Sequence, residues 1–327
     1  MSRISKYKLK KLIKNISLLV VVVIIFLSLG ELIARFANVE KSEYDVFFME
    51  GNSNLSNQLI PNAEGYFKDH YTKINKDGFR DNKDYSVKKP RDVLRIISLG
   101  ASFTFGEGVD LEDTYSKQLE VSLNNYCEDK IEVLNMGVSG YNMVYELETL
   151  KEKGLKYGPD LIMVNLFSRP NVQYRYFPLK DSLKRHSYLF AYLRKKYQIV
   201  NLKYLTAKSE QVEGGEIFVN TIGREQNEKT LQEFIDIGKG KDVSILFLYF
   251  PILEDEEDFV DPDVEFYKNM LEYLESVNED NLDLTDAFVG KNFEDLWVSK
   301  NNHHPNRKGH EIAAEELHNH IVKKIEC

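Results

Sequence analysis

Cysteine is nearly absent: Cys127 and Cys327 are the only two in 327 residues. Two cysteines exclude a disulfide scaffold, and neither has the spacing of a structural metal site. A bridge between them is compatible with an oxidising compartment, and sequence leaves it open. Proline is scarce, at 8, while Phe and Tyr number 19 each. That balance excludes a disordered chain. Positive charge is thin outside the first 15 residues. The chain is −9 overall, and residues 1–15 carry six Lys/Arg and no acid, which leaves −15 for the rest. A body that acidic argues against nucleic acid as a partner.

Several cofactor and catalytic signatures are missing too. Gly100-Ala101-Ser102-Phe103-Thr104 is not a G-x-S-x-G elbow, because Thr104 stands where the second glycine belongs. Gly106 and Gly108 lack the third glycine of a dinucleotide fingerprint, and no P-loop is present. "HEIAA" (310–314) lacks the second His of a zinc-hydrolase helix. Neither a metal nor a cofactor is therefore expected.

One apolar run is long. "ISLLVVVVIIFLSLG" (16–30) has no charge, and "ELIARFA" extends it to Ala37. With the lysine-rich residues 1–15 before it, this reads as a cytoplasmic tail followed by a transmembrane anchor over 16–37. The positive flank places the N-terminus inside and the rest of the chain outside the membrane. An A-x-A-like cleavage site is lacking after the run, which favours a retained anchor over a cleaved signal.

Beyond the anchor, residues 38–92 read as a polar juxtamembrane segment, with short strands expected around "GYFKDHYTKINKDGFRD" (65–81). From Val93 the pattern changes to strands alternating with helices. "VLRIISLG" (93–100), "IEVLNMG" (131–137), "PDLIMVNLF" (159–167), "KDVSILFLYFP" (241–251) and "NLDLTDAF" (281–288) are apolar strand runs. Helical spacing appears at 111–126, 141–158, about 263–277 and after "HHPNRKG" (303–309), with a helical insertion at about 179–240. This predicts an α/β fold with a mainly parallel sheet between helical layers over 93–327. In such sheets, active-site groups collect at the carboxyl ends of strands. "GASFTFG", "NMGVSGYN" and "LFSRPNV" fall there, and "NNHHPNRKGH" precedes the last helix.

In that order, "LGASFTFGEG", "LNMGVSGYN" and "HHPNRKGHEIAAEEL" resemble the SGNH (GDSL-like) hydrolase family. "NKDGFRD", "GPDLIMVNLF" and "LDLTDAF" resemble flanking segments of its membrane-anchored bacterial members, so the likeness spans about residues 70–325. The resemblance implies a flavodoxin-like three-layer α/β/α sandwich and the hydrolysis or transfer of acyl esters. Carried over by position, Ser102 is the nucleophile and His304 the general base. The amides of Ser102 and Gly140 form the oxyanion hole, with Asn171 as a third donor. Arg169, read from its place at a strand end rather than from the family, is a candidate substrate contact and an alternative to Asn171 as third donor. The chain departs from the family pattern at three places. Gly-Asp-Ser becomes Gly-Ala-Ser at Ala101. The third block reads "LFSRPNV", with Pro170 in it. The usual acid three residues before the His is Asn301, with Glu294 or Asp295 as stand-in carboxylates.

These readings imply a single-pass, membrane-anchored extracytoplasmic esterase or O-acyltransferase. Its substrates would be acyl, especially acetyl, esters of cell-envelope polysaccharide or glycolipid, with envelope assembly proteins as further partners. The rival is a catalytically degenerate domain of the same fold that binds glycan or scaffolds an envelope assembly.

Overall fold

The computed structural model describes residues 3–36, 47–50, 55, 57–128, 130–166, 187–190, 192–193, 215–253 and 262–325. The chain divides into two compact units. One combines residues 1–46 with 177–213, and the other combines 47–176 with 214–327.

In the first unit, α1 (Arg3–Phe36) contains an apolar stretch, Lys10–Phe36, long and apolar enough to cross a membrane. Glu31 would be a costly group in such a helix. Its carboxylate accepts from Ser187 Oγ (2.8 Å) and from the amides of Tyr188 and Leu189 (3.0 Å each), and pairs with Arg35 at 3.0 Å.

The second unit is built on a five-stranded parallel sheet. Its strands are β5 (Val93–Leu99), β6 (Lys130–Asn135), β7 (Leu161–Asn165), β8 (Ser244–Tyr249) and β9 (Asp280–Asp283). Their spatial order is β6-β5-β7-β8-β9, and every pairing is parallel. This is the 2-1-3-4-5 order of a flavodoxin-like sheet, which the family resemblance implies, and its parallel pairing is what the alternating pattern predicts.

Strand alternation divides the core into two faces. Ile97, Leu99, Ile162, Val164, Ile245 and Phe247 pack with Met143 and Leu147 of α4 (Met143–Thr149). The same layer takes Phe234 from α5 (Gly215–Lys241) and Leu274 from α6 (Pro262–Ser276). Ile96, Val133, Met163 and Leu246 face the other way. They meet Leu119 and Leu123 of α3 (Tyr115–Tyr126), Phe288 of the short α7 (Thr285–Phe288) and Ala313 and Leu317 of α8 (Arg307–Ile321). Cys127, just after α3, is disulfide-bonded; Cys327 lies outside the described residues.

Two sequence boundaries move. The segment read as juxtamembrane belongs to the second, sheet-containing unit from Phe47 onward. It forms β1 (Phe48–Glu50), β2 (Asn57–Leu59), β3 (Glu64–Phe67) and β4 (His70–Lys73), paired as β1–β2 and β3–β4 hairpins. Phe47, Phe48, Phe67 and Ile74 bury themselves against Phe105, Val138 and Tyr141. The reason is compositional. The aromatics in this polar stretch are spaced for hairpins, and a two-stranded hairpin needs a larger surface to cover its apolar side. The expected insertion also ends early. Residues 177–213 separate from the main unit, whereas the carboxyl half of α5 returns to the sheet through Leu231, Phe234 and Ile235.

Candidate active site

Ser102 opens a one-turn helix, α2 (Ser102–Phe105), directly after β5. As its first residue, Ser102 has a backbone N–H without an intrahelical partner. Ala101 occupies the N-cap, and no side chain caps this turn. The turn is held instead from behind. A Cβ on Gly100 would lie 1.9 Å from Thr104 Oγ1, so the strand can bend into the helix only with glycine there. Thr104 Oγ1 then meets Tyr115 OH at 2.8 Å, and Asn135 Nδ2 donates to Thr104 O at 2.7 Å. Thr104 thus stands where an elbow would have glycine because its hydroxyl ties the turn to the helical layer.

The residues after α2 reverse sharply. Gly106 (φ 86°) and Gly108 (φ 82°) are both left-handed, with Glu107 between them. The buried Arg80 clamps this loop. Its guanidinium donates to Phe105 O (2.8 Å), to Gly106 O and to Val109 O (2.6 Å). Burial lowers the Arg80 pKa to about 10, opposed by the carboxylates of Asp110, Glu112 and Glu107. An arginine from the segment read as juxtamembrane therefore shapes the loop beside Ser102.

His304 comes from β11 (Asn302–Pro305), which pairs with β10 (Trp297–Ser299). Asn306 secures the end of this hairpin. It caps α8 by accepting from the amides of Lys308 (2.9 Å) and Gly309 (3.3 Å), and it donates to Asp295 O and Trp297 O. The cap sets where β11 stops, and so sets His304 two residues earlier.

His304 Nε2 lies 2.8 Å from Ser102 Oγ. Its Nδ1 lies 2.6 Å from Asn302 Oδ1. The backbone N–H of His304 also reaches Asn302 Oδ1, at 3.3 Å. An N–H can only donate, so that atom is the amide oxygen and Nδ1 carries the proton. The Nε2 lone pair is then free to accept from the serine hydroxyl. Phe103 packs edge-on to the imidazole, with ring centroids 5.4 Å apart.

The partner of Nδ1 is Asn302, not Asn301. Asn301 is exposed in the turn before β11. Alternate residues of a strand share a face, so Asn302 and His304 point the same way and Asn301 does not. Glu294 and Asp295 are exposed and do not take the acid's place. A carboxylate does reach the imidazole: Glu107 Oε2 lies 3.0 Å from Nε2, with its side chain 7% exposed. By sequence, Gly106 and Gly108 are weighed only against a dinucleotide fingerprint and Glu107 is given no role, although a carboxylate between two glycines is a signal available there. His303 faces elsewhere, stacked on Trp297 at 3.9 Å.

Gly140 adopts φ 83°, in a turn closed by Tyr141 N–H to Val138 O at 3.1 Å. Val138 N–H in turn donates to Gly100 O at 3.0 Å, which stitches this loop to the serine turn. Arg169, Pro170 and Asn171 lie outside the described residues.

Behind the site, His310 is fully buried and stacked on Tyr115. Its Nδ1 accepts from Tyr115 N–H at 3.2 Å. Burial, with Arg80 and His304 nearby, pushes its pKa down to about 3. It is therefore a neutral packing histidine. Among the described residues no group of His, Cys, Asp and Glu is arranged to hold a metal ion. A cavity of about 460 Å³ opens at the opposite, amino-terminal end of the sheet, lined in part by Asp160, Ser244 and Asp280. It contains neither Ser102 nor His304 and is not the reaction site.

No protein-family model matches the chain. No curated protein matches it by sequence. Solved structures do. A GDSL-like lipase from Bacteroides thetaiotaomicron is 11% identical, with 74% of this chain and 93% of that one covered, at TM-score 0.45. An acetylxylan esterase from Geobacillus stearothermophilus, a catalytic mutant, is 17% identical, covering 71% and 95%, at TM-score 0.46. A psychrotrophic esterase from Pseudoalteromonas, inhibited by monoethylphosphonate, is 16% identical, covering 70% and 97%, at TM-score 0.43. In structure the chain is similar to GDSL-like lipases and esterases, at low identity.

Proposed function

We propose that the protein is a serine ester hydrolase or O-acyltransferase of the SGNH type. One observation carries the reading: Ser102 Oγ and His304 Nε2 are 2.8 Å apart, with Nδ1 protonated toward Asn302. Ser102 Oγ attacks the ester carbonyl while its proton passes to Nε2. The carbonyl electron pair moves to oxygen, and the amides of Ser102 and Gly140 receive the oxyanion. The tetrahedral adduct collapses, and Nε2 returns the proton to the departing alkoxide oxygen. Water, or a sugar hydroxyl in the transferase variant, then takes the acyl group by the reverse sequence. Asn171 as a third donor and Arg169 as a substrate contact remain part of this proposal.

The place of action is proposed on separate grounds. The Lys10–Phe36 stretch has the length and apolarity of a membrane span, and the lysine-rich residues before it favour an inside N-terminus. The Cys127 disulfide suits an oxidising compartment. We therefore propose an extracytoplasmic enzyme acting on acyl, especially acetyl, esters of envelope glycans or glycolipids.

The test is labelling of the detergent-solubilised full chain with a fluorophosphonate, alongside turnover of p-nitrophenyl acetate. Both signals are expected in the wild type and are lost in Ser102→Ala and His304→Ala. A wild-type chain that shows neither signal refutes the enzyme reading and leaves the glycan-binding or scaffold alternative.

A further inference from the structure

His304 Nε2 has two oxygens within hydrogen-bonding distance: Ser102 Oγ at 2.8 Å and Glu107 Oε2 at 3.0 Å. A neutral imidazole with its proton on Nδ1 offers only a lone pair at Nε2. A carboxylate oxygen facing that lone pair is unfavourable, and facing an N–H it is favourable. The contact with Glu107 therefore matches the imidazolium, the species formed once Ser102 has given up its proton. The loop is built to deliver this carboxylate. Two left-handed glycines flank it, and a Cβ on either would collide, with Thr114 Cγ2 at 2.4 Å for Gly106 and Val298 Cγ1 at 2.7 Å for Gly108. Arg80 pins the surrounding carbonyls. Glu107 N–H also donates to Ser102 O at 3.1 Å, so nucleophile and carboxylate move as one piece.

We propose that Glu107 supplies the negative charge that Asn302 cannot, pairing with the His304 imidazolium from its Nε2 side. This rests on the serine-hydrolase reading and names one more member of its machinery. In the attack step the serine O–H bond breaks, the Nε2–H bond forms and the Oγ–carbonyl carbon bond forms. The Glu107 carboxylate lies against the new N–H and offsets its charge. When the leaving oxygen takes that proton, the imidazole is neutral again and Glu107 is unchanged. The missing Asp at Ala101 and the amide at Asn302 then no longer imply an inert site, because the carboxylate has moved to the serine loop.

The test compares wild type, Glu107→Gln and Glu107→Ala as full chains in detergent, with p-nitrophenyl acetate turnover and fluorophosphonate labelling. A lost charge-assisted contact corresponds to a roughly 30-fold fall in kcat for Glu107→Gln, with KM and thermal midpoint close to wild type. Formate is expected to restore part of the activity of Glu107→Ala. Asn302→Asp placed in the Glu107→Gln background is expected to recover activity by charging the other nitrogen. A Glu107→Gln variant with wild-type kcat overturns the assignment. So does a loss that comes with a lowered thermal midpoint and resists both formate and Asn302→Asp, which marks a structural role. If the wild type itself shows no Ser102-dependent labelling or turnover, the serine-hydrolase reading fails first.

Discussion

Changing Asn302 to Asp offers a sharp test of how His304 is held. The amide oxygen lies 2.6 Å from Nδ1, so Asp keeps the size and the acceptor and adds a charge. A hydrogen bond to a charged group contributes about 1.5–3 kcal/mol against about 1 for a neutral one. The imidazole side chain is 27% exposed, so solvent screens part of the difference. Glu107 already faces the other nitrogen at 3.0 Å, which lowers the gain further. About 0.7–1.4 kcal/mol of extra transition-state stabilisation remains, a 3- to 10-fold rise in kcat. The assay is steady-state ester turnover beside the rate of fluorophosphonate labelling, and both should rise in Asn302→Asp. Asn301→Asp serves as the comparison, because that side chain is exposed in the turn and should change nothing. An increase in Asn301→Asp but not in Asn302→Asp would refute the geometry on which the site is drawn.

Three further outcomes follow from the surroundings of the site. Arg80→Lys should cut ester turnover at least 10-fold, since a single ammonium cannot serve the Phe105, Gly106 and Val109 carbonyls together; unchanged turnover would show that the clamp is not needed. Ala101→Asp should add a side-chain acceptor at the uncapped start of α2 and stabilise the unit by about 1 kcal/mol, read by urea unfolding through Trp297; a drop in stability would mean that the buried pocket rejects the carboxylate. His310, with its folded pKa near 3, binds a proton more readily when unfolded. Its contribution to stability is present above pH about 6.5 and declines by about 1.4 kcal/mol per pH unit as pH falls below that. Unfolding at pH 7.5 and 5.0 should therefore differ less in His310→Gln than in wild type, and equal differences would discount this histidine.

Much of the layout could be read along the chain. Apolar runs separated by helical spacing marked the five strands of the sheet and their chain order, because the inner strands β5, β7 and β8 are mostly buried on both faces. The resemblance singled out His304, and the structure shows what fixes its place in the cap that Asn306 makes on α8. The misses share a cause. Short strands around 65–81 are expected from the sequence, but the packing of Phe47–Lys73 on the main unit and the clamp made by Arg80 are not, because their partners, Phe105 and the 105–109 carbonyls, lie elsewhere in the chain. Asn301 and Asn302 differ by one residue, and only the start of β11 decides which one shares a face with His304.

The sequence by itself determined the apolar N-terminal run, the acidic body, the α/β alternation and the presence of a serine turn and a late histidine. Those are local properties of composition and spacing. The tertiary structure alone decided that Ser102 and His304 meet, that Asn302 holds the ring, and that Glu107 is the carboxylate at its reactive nitrogen. The Ser102 and Glu107 contacts to His304 cross some 200 residues and exist only because the sheet order and the Asn306 cap bring two remote loops together, while the Asn302 contact, two residues away, depends on where β11 starts.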